Sequence, residues 1–270
     1  MINSNGNLIS SFNEIPEEFI EQLHTQLSVL EVLRFEDGNI LFWEFHYFRI
    51  LASLRRHRFE IPMNYTMEYL EAEVFRLSNA TSSSKMIKAL IKIQFLPYQK
   101  SIVFIMSLRE LDSFNKIQSS KNYRLDLFKE DYIRATNLSN LSNTNGTLYY
   151  IASRYVKENG FDDCVILNDQ KNLVETLKGS LYLLQGDKIL TSTLKCGCQD
   201  FALRSAFNEW VEKKQKVFKL IEQEINPFEL QKSEELMVIS IEYGSQSISQ
   251  YRKTTYNTCQ LNELFSRFIQ

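Results

Sequence analysis

Glycine and proline are scarce, eight and four in 270 residues. No glycine falls in a G-x-G-x-x-G or G-x-x-x-x-G-K pattern, so neither a dinucleotide fingerprint nor a P-loop is present. No serine sits in a G-x-S-x-G elbow, which removes the nucleophile turn of the α/β-hydrolases. Cysteine occurs only at Cys164, Cys196, Cys198 and Cys259, and the close pair is separated by one residue where zinc and redox pairs use two. His24, His46 and His57 share no spacing that suggests a metal site or a base–nucleophile pair. There is no excess of either charge: the net charge is -2, which gives no electrostatic footprint for nucleic acid. No run approaches the roughly 18 apolar residues of a membrane span, and the N-terminus lacks a basic segment followed by an apolar core. These absences predict a cytoplasmic protein with reduced thiols, no membrane association and no metal.

What is present is an ordinary globular composition, 44% apolar and 24% charged, long enough for one large or two modest cores. Residues 2–11 read as a short strand, and Glu17–Gln26 as a helix with Pro16 at its start. Leu27–Phe35 and Asn39–Phe45 are apolar runs joined by Asp37-Gly38, a strong hairpin signal. Helical spacing covers His46–Arg58, and Thr66–Leu77 with Thr66 as a cap. Lys85–Gln94 and Ser101–Leu108 read as strands, and Asp112–Lys121 as a polar loop. A second half opens with a strand at Tyr123–Phe128, then a loop rich in Asn and Ser to Thr147. A helix over Leu148–Asn159 ends at Gly160 in the usual C-cap place. Short strands follow at Cys164–Leu167, Leu173–Glu175, Ser180–Leu184 and Lys188–Thr191. Asp200–Lys214 and Leu261–Phe268 are helices, Gln215–Glu224 is a strand or helix, and Glu235–Tyr243 is a strand. Strands and helices do not alternate strictly, so the expectation is an α+β protein divided near residue 120, with domains 1–120 and 121–270. Arg55, Arg56 and Arg58 read as a solvated helix face. Composition and periodicity alone stop here.

Several blocks in order carry a resemblance. They are Leu30-Glu31-Val32-Leu33-Arg34 and the run from Phe42 to Ile50 that contains His46 and Arg49. Next come Ile151-Ala152, Asn159-Gly160-Phe161-Asp162-Asp163, and Val165-Ile166-Leu167-Asn168 ahead of Val174-Glu175. Gly197-Cys198-Gln199-Asp200 leads to Arg204, and Asn226-Pro227-Phe228-Glu229-Leu230 and Glu234-Glu235-Leu236 close the chain. Together these resemble the class IV aminotransferase and aminodeoxychorismate lyase family of fold-type IV pyridoxal-phosphate proteins. The resemblance implies an N-terminal α+β domain, a larger β-rich C-terminal domain, a cofactor between them and a homodimer. In such proteins a lysine forms an internal aldimine, a glutamate pairs with the pyridinium nitrogen, and an arginine and a helix N-terminus hold the phosphate.

Carried over position by position, Arg49 falls on the phosphate arginine and Glu175 on the pyridinium partner. The lysine position is Ser142, in Leu141-Ser142-Asn143-Thr144-Asn145. A serine hydroxyl forms no aldimine. The small hydroxyl residues after the glutamate read Thr176-Leu177-Lys178-Gly179-Ser180, Phe201 stands where a glycine lets a helix start approach phosphate, and Val32 replaces a threonine. The resemblance therefore implies a member without the usual pyridoxal-phosphate chemistry, which binds or converts a small anionic ligand between its domains. The alternative is an active lyase or transaminase that uses Lys178 as a relocated amine and turns 4-amino-4-deoxychorismate into p-aminobenzoate and pyruvate.

Overall fold

The computed structural model describes every residue except 25–26, 82–87, 112–122, 143–144 and 257–258, and the side chain of His24. The chain forms two compact units, Met1–Phe114 and Asn115–Gln270. The expected boundary at 120, the loop Asp112–Lys121, and the ends expected at Gln26 and Lys85 lie outside the described residues.

The first unit is one six-stranded sheet with helices. Its strands are β1 (Ile2–Ser4), β2 (Asn7–Ile9), β3 (Val29–Glu36), β4 (Asn39–Ile40), β5 (Lys88–Tyr98) and β6 (Ser101–Glu110), in the order β2-β1-β6-β5-β3-β4. Helices α1 (Glu17–His24), α2 (Trp43–Arg56) and α3 (Met67–Thr81) complete it. The single strand expected over residues 2–11 is a hairpin, with Ile2 opposite Ile9, because Asn5 and Gly6 both take positive φ and turn the chain. Asp37 and Gly38 likewise both take positive φ and close β3 onto β4. The extended run expected to reach Phe45 stops at Ile40, since Phe42 takes a left-handed φ of 55° and α2 begins at Trp43. Thr66 does cap α3: its Oγ1 accepts from the Tyr69 backbone N–H at 3.2 Å. Ile91, Ile93 and Phe95 from β5 pack with Phe104 and Met106 from β6 and with Leu70, Val74 and Leu77 from α3. Residues 3.6 apart on the helix thus cover alternate residues of the strands.

The second unit holds two five-stranded sheets. One has the order β12-β11-β10-β13-β14, from β10 (Ser180–Gln185), β11 (Lys188–Ser192), β12 (Lys219–Gln223), β13 (Glu235–Ser240) and β14 (Gly244–Ser247). The other has the order β16-β15-β7-β8-β9, from β7 (Arg124–Leu127), β8 (Asp163–Leu167), β9 (Leu173–Thr176), β15 (Gln250–Tyr251) and β16 (Thr254–Thr255). Four helices join them: α4 (Gly146–Asn159), α5 (Ala202–Lys214), α6 (Glu229–Lys232) and α7 (Gln260–Ile269). Leu125, Leu127, Val165 and Leu167 of the second sheet share a core with Leu181, Leu183, Leu236 and Val238 of the first. Intervening residues point the other way, so Ile166 and Val174 pack with Leu148, Ala152 and Val156 of α4. Sequence left residues 215–224 open between strand and helix; Lys219–Gln223 is a strand, parallel to β11. The strand expected to reach Tyr243 ends at Ser240 and turns back as β14.

Gly160 ends α4 with φ 66°, the left-handed cap that glycine accepts without strain. Gly179 serves a different need. A Cβ there would lie 2.1 Å from the Ile239 carbonyl oxygen, so the backbones on either side can pair only without a side chain. Gly179→Ala is expected to cost about 2–3 kcal/mol through overpacking, and Gly186→Ala, at φ 61° in open space, only about 1 kcal/mol. Thermal denaturation of the two variants beside the parent protein reads the difference; equal losses would contradict the packing argument.

Candidate functional site

Glu31 in the first unit and Glu175 in the second are buried carboxylates from the resembling blocks, and each solves the cost of that burial differently. In the first unit Glu31 projects from β3 beneath the first turns of α2. Its Oε1 lies 2.6 Å from His46 Nδ1, and its Oε2 accepts from Arg49 Nη1. All three side chains are buried or nearly so. His46 and Arg49 are three apart on α2 and therefore share a helix face. Burial opposes ionisation of Glu31, but the Arg49 charge and the two hydrogen bonds outweigh it and hold the carboxyl below the usual range. His46 Nε2 has no hydrogen-bond partner among the described residues.

In the second unit Glu175, on β9, is 1% exposed. Its Oε1 accepts from the Tyr149 hydroxyl on α4, and its Oε2 accepts from the Gln199 backbone N–H at 2.9 Å. Burial pushes this carboxyl up, and the donors from Tyr149 and Gln199 only partly offset it. Burial beside Glu175 raises the Tyr149 hydroxyl well above its ordinary value, so it stays a proton donor.

The backbone that brings Gln199 to Glu175 is itself pinned. Gly197 takes φ 95°, and a Cβ there would stand 2.9 Å from Ile133 Cγ2. Asn140 donates from Nδ2 to the carbonyls of Leu194 at 2.8 Å and Cys198 at 2.6 Å, and its own carbonyl accepts from Asp200 N at 3.2 Å. Ser139 and Asn140 therefore lie along the Glu175-binding segment, and Ser142 is half-buried in the turn that follows them. Its neighbours Asn143 and Thr144 lie outside the described residues.

Two more residues stand at the start of α5. Phe201 is the N-cap residue and supplies no side-chain cap. Asp200 precedes it, and its Oδ1 accepts from Ser205 Oγ at 2.9 Å. A carboxylate at this end of a helix is stabilised by the helix dipole. Further along, the Arg204 guanidinium is buried, donating to the Ser192 carbonyl at 2.7 Å and pairing with Glu222 Oε2 at 2.8 Å. Burial pushes the Cys198 thiol up to about 12, which disfavours its thiolate. Thr176 spends its hydroxyl on the turn after β9, accepting from Gly179 N at 3.2 Å and donating to Gly179 O at 3.1 Å.

Lys178 is exposed on that same turn, but it belongs to other surroundings. Its Nζ lies 5.2 Å from the Tyr123 ring centroid and 5.8 Å from that of Tyr243. Tyr123 in turn donates to Asp163, which burial pushes up to about 6. Among the described residues no lysine is hydrogen-bonded to Glu175, Tyr149 or Gln199. No group of three or more metal-ligating side chains comes together among the described residues, and no helix there is long and apolar enough to cross a membrane.

The model of the amino-transferase class IV family matches residues 28–250, most of the chain. The chain belongs to the class IV aminotransferase family. Solved structures agree at the level of fold. The branched-chain amino acid aminotransferase of Escherichia coli superposes with a TM-score of 0.83 at 12% identity, covering 98% of this chain and 91% of its own. The branched-chain aminotransferase of Thermoproteus uzoniensis gives 0.83 at 15% identity, covering 99% and 93%. A protein assigned as a 4-amino-4-deoxychorismate lyase in Legionella pneumophila gives 0.80 at 16% identity, covering 98% and 97%. No curated protein matches the chain. The α+β class IV fold expected from the sequence is thus the fold observed. Within this class IV chain, Asn140 and the 194–200 segment are joined to Glu175 through Gln199, while Lys178 lies beside Tyr123 and Tyr243. Sequence reading passed over Tyr149, Gln199 and the Glu31–His46 contact. Only the Glu31/His46/Arg49 set had a signal available, a strand glutamate just ahead of an H-x-x-R helix.

Two variants test these clusters. Glu31→Gln removes the buried carboxylate that pairs with Arg49 and His46 and is expected to cost about 3–5 kcal/mol. A carboxyl held below its unfolded pKa contributes stability above about pH 4 and loses it as pH falls through the folded value, so the variant also loses part of the acid-induced drop. Urea melts at pH 7 and pH 3 measure both effects, and unchanged stability at pH 7 would refute the pairing. Tyr149→Phe removes the donor to Glu175 Oε1 and is expected to cost about 1–3 kcal/mol, measured in the same melts.

Proposed function

We propose that this class IV protein forms no internal aldimine with pyridoxal phosphate and binds a small anionic ligand instead. The observation that carries this reading is the serine at position 142, where the resemblance implies a lysine. A hydroxyl forms no imine and is a poor proton carrier near neutral pH. Conversion of a bound ligand would need other groups; His46, whose Nδ1 meets Glu31 and whose Nε2 has no hydrogen-bond partner among the described residues, is one such group.

The residues present do not fit the cofactor. Arg49 keeps the place of the phosphate arginine, but its charge is already met by Glu31. Asp200 sets a carboxylate at the start of α5, where a phosphate would need positive potential, and Phe201 puts a large side chain at the N-cap, where the resemblance implies glycine. Thr176, the hydroxyl next to the glutamate, is engaged in its own turn. Glu175 is pushed towards its neutral form, whereas pairing with a protonated ring nitrogen needs the ion. The same reading takes the active form to be a homodimer, as the resemblance implies.

Retention of Arg49 and Glu175 favours a second reading, an active lyase or transaminase acting on 4-amino-4-deoxychorismate through Lys178. The exposed place of Lys178 between two tyrosine rings counts against it. An absorbance titration with pyridoxal phosphate, followed by borohydride and peptide mapping, separates the two. The expected result is no aldimine band and no fixed label. A band with the label on Lys178 would overturn the first reading and establish the second.

A further inference from the structure

The second unit contains a cavity of about 250 Å³ that shares no residue with the Glu175 cluster. Its floor is apolar and firm: Leu127, Leu167 and Tyr251 are all buried members of the core between the two sheets. Its mouth carries Phe228, an aromatic ring 72% exposed just ahead of α6. A ring so exposed has no core role, and at a cavity mouth it offers a face to a bound ligand.

Around this floor stand three cations, Lys129, Lys171 and Arg252, and no carboxylate lines the cavity. Lys171 Nζ lies 3.3 Å from the centroid of Tyr132, which fixes the ammonium over one wall. The Arg252 guanidinium carbon lies 5.2 Å from the Tyr251 ring centroid. Its nearest acid, Asp126, is 3.8 Å away, a loose contact that leaves guanidinium donors for another partner. Lys129 and Lys171 have no ion-pair partner among the described residues.

The backbone adds an independent observation. Lys171 has φ 67° and Arg252 has φ 53°, both in the left-handed region that asparagine and glycine occupy at least cost. Two long cationic side chains that line one cavity therefore extend from left-handed backbone positions. Such outliers cluster where geometry serves a ligand.

Size narrows the ligand. The space exceeds the roughly 150 Å³ that encloses a benzene ring and is below the roughly 300–1,000 Å³ of drug-sized sites. We propose that this cavity binds a single-ring aromatic anion, a carboxylate or a phosphate ester. The ring lies against Tyr251 and Phe228, and the charge is met by Lys129, Lys171 and Arg252. A lysine is a point charge and does not discriminate between the two head groups, so experiment must.

The test uses fluorine NMR of 4-fluorobenzoate and, separately, 4-fluorophenyl phosphate with the full chain. At least one is expected to broaden saturably with a Kd of roughly 0.1–1 mM, within reach for a ligand of so few atoms. The stronger of the two names the head group. The double variant Lys171→Asn, Arg252→Asn keeps residues that tolerate left-handed φ and is expected to weaken binding roughly tenfold, as loss of two charge-assisted contacts should. Phe228→Ala alters only an exposed ring and is expected to weaken it severalfold, with an unchanged melting temperature for both variants. Absence of saturable broadening for both anions would overturn the proposal. So would broadening that neither variant changes, since the anion would then bind elsewhere.

Discussion

The second unit depends on where a buried carboxyl group finds its donors. Glu175 sits on the last strand of one sheet with 1% exposure, and such a group is costly unless each oxygen is satisfied. One donor comes from α4 through Tyr149, the other from the backbone of Gln199 just before α5. Three elements distant in sequence therefore meet at one side chain. The Gly197 turn and the Asn140 bonds exist on the same ground, because Gln199 N–H reaches Oε2 only if the 194–200 segment is held against Ser139 and Asn140. Removing that carboxyl would leave a buried N–H and a buried hydroxyl without acceptors, and the strain would pass to two helices at once.

Glu31 shows that equal burial does not give equal chemistry. Both carboxyls are fully enclosed, yet Glu31 is held below the ordinary range and Glu175 is pushed above it. The difference is the partner. A unit charge about 4 Å away contributes about 4 kcal/mol at an effective dielectric of 20, enough to compete with desolvation. Neutral donors contribute about 1 kcal/mol each and fall short. Arg49 therefore keeps Glu31 ionised, while Tyr149 and Gln199 hold Glu175 without favouring its charge strongly. A glutamate retained in place is not, on this account, a glutamate retained in function.

Much of the fold was legible because its signals are local. Asp37-Gly38, Gly160 and the Thr66 cap each act within a few residues, and each appears where the sequence puts it. The run Asn39–Phe45 misled because apolar residues serve a strand and a buried helix start alike. Only the left-handed turn at Phe42 decides between them, and nothing in a phenylalanine announces it. The candidate site was legible in outline, as Ser142, Arg49 and Glu175 follow from aligned blocks. The partners of Glu175 were not, for Tyr149 lies 26 residues away and Gln199 acts through its backbone, which carries no residue-type signal. Lys178 lies close to Glu175 along the chain, yet a tight turn closed by Thr176 and Gly179 carries its ammonium beside Tyr123 and Tyr243, a placement set by backbone geometry rather than by residue type.

On the proposed reading, the start of α5 is where the fold would have to make up for a missing phosphate. A helix N-terminus facing a phosphate cup is left with unmet N–H groups and positive potential when the phosphate is gone. Asp200 supplies negative charge at that end from within the chain, steadied by Ser205, and Phe201 adds bulk where an open approach has no further use. In the first unit Glu31 supplies the matching charge, pairing with Arg49 across β3 and α2. On the proposed reading, each position that gave an anion its place now has an internal partner. The bonds that hold Glu175 come from Tyr149 and Gln199, and Glu31 pairs with Arg49, so on that reading the fold draws these supports from within the chain.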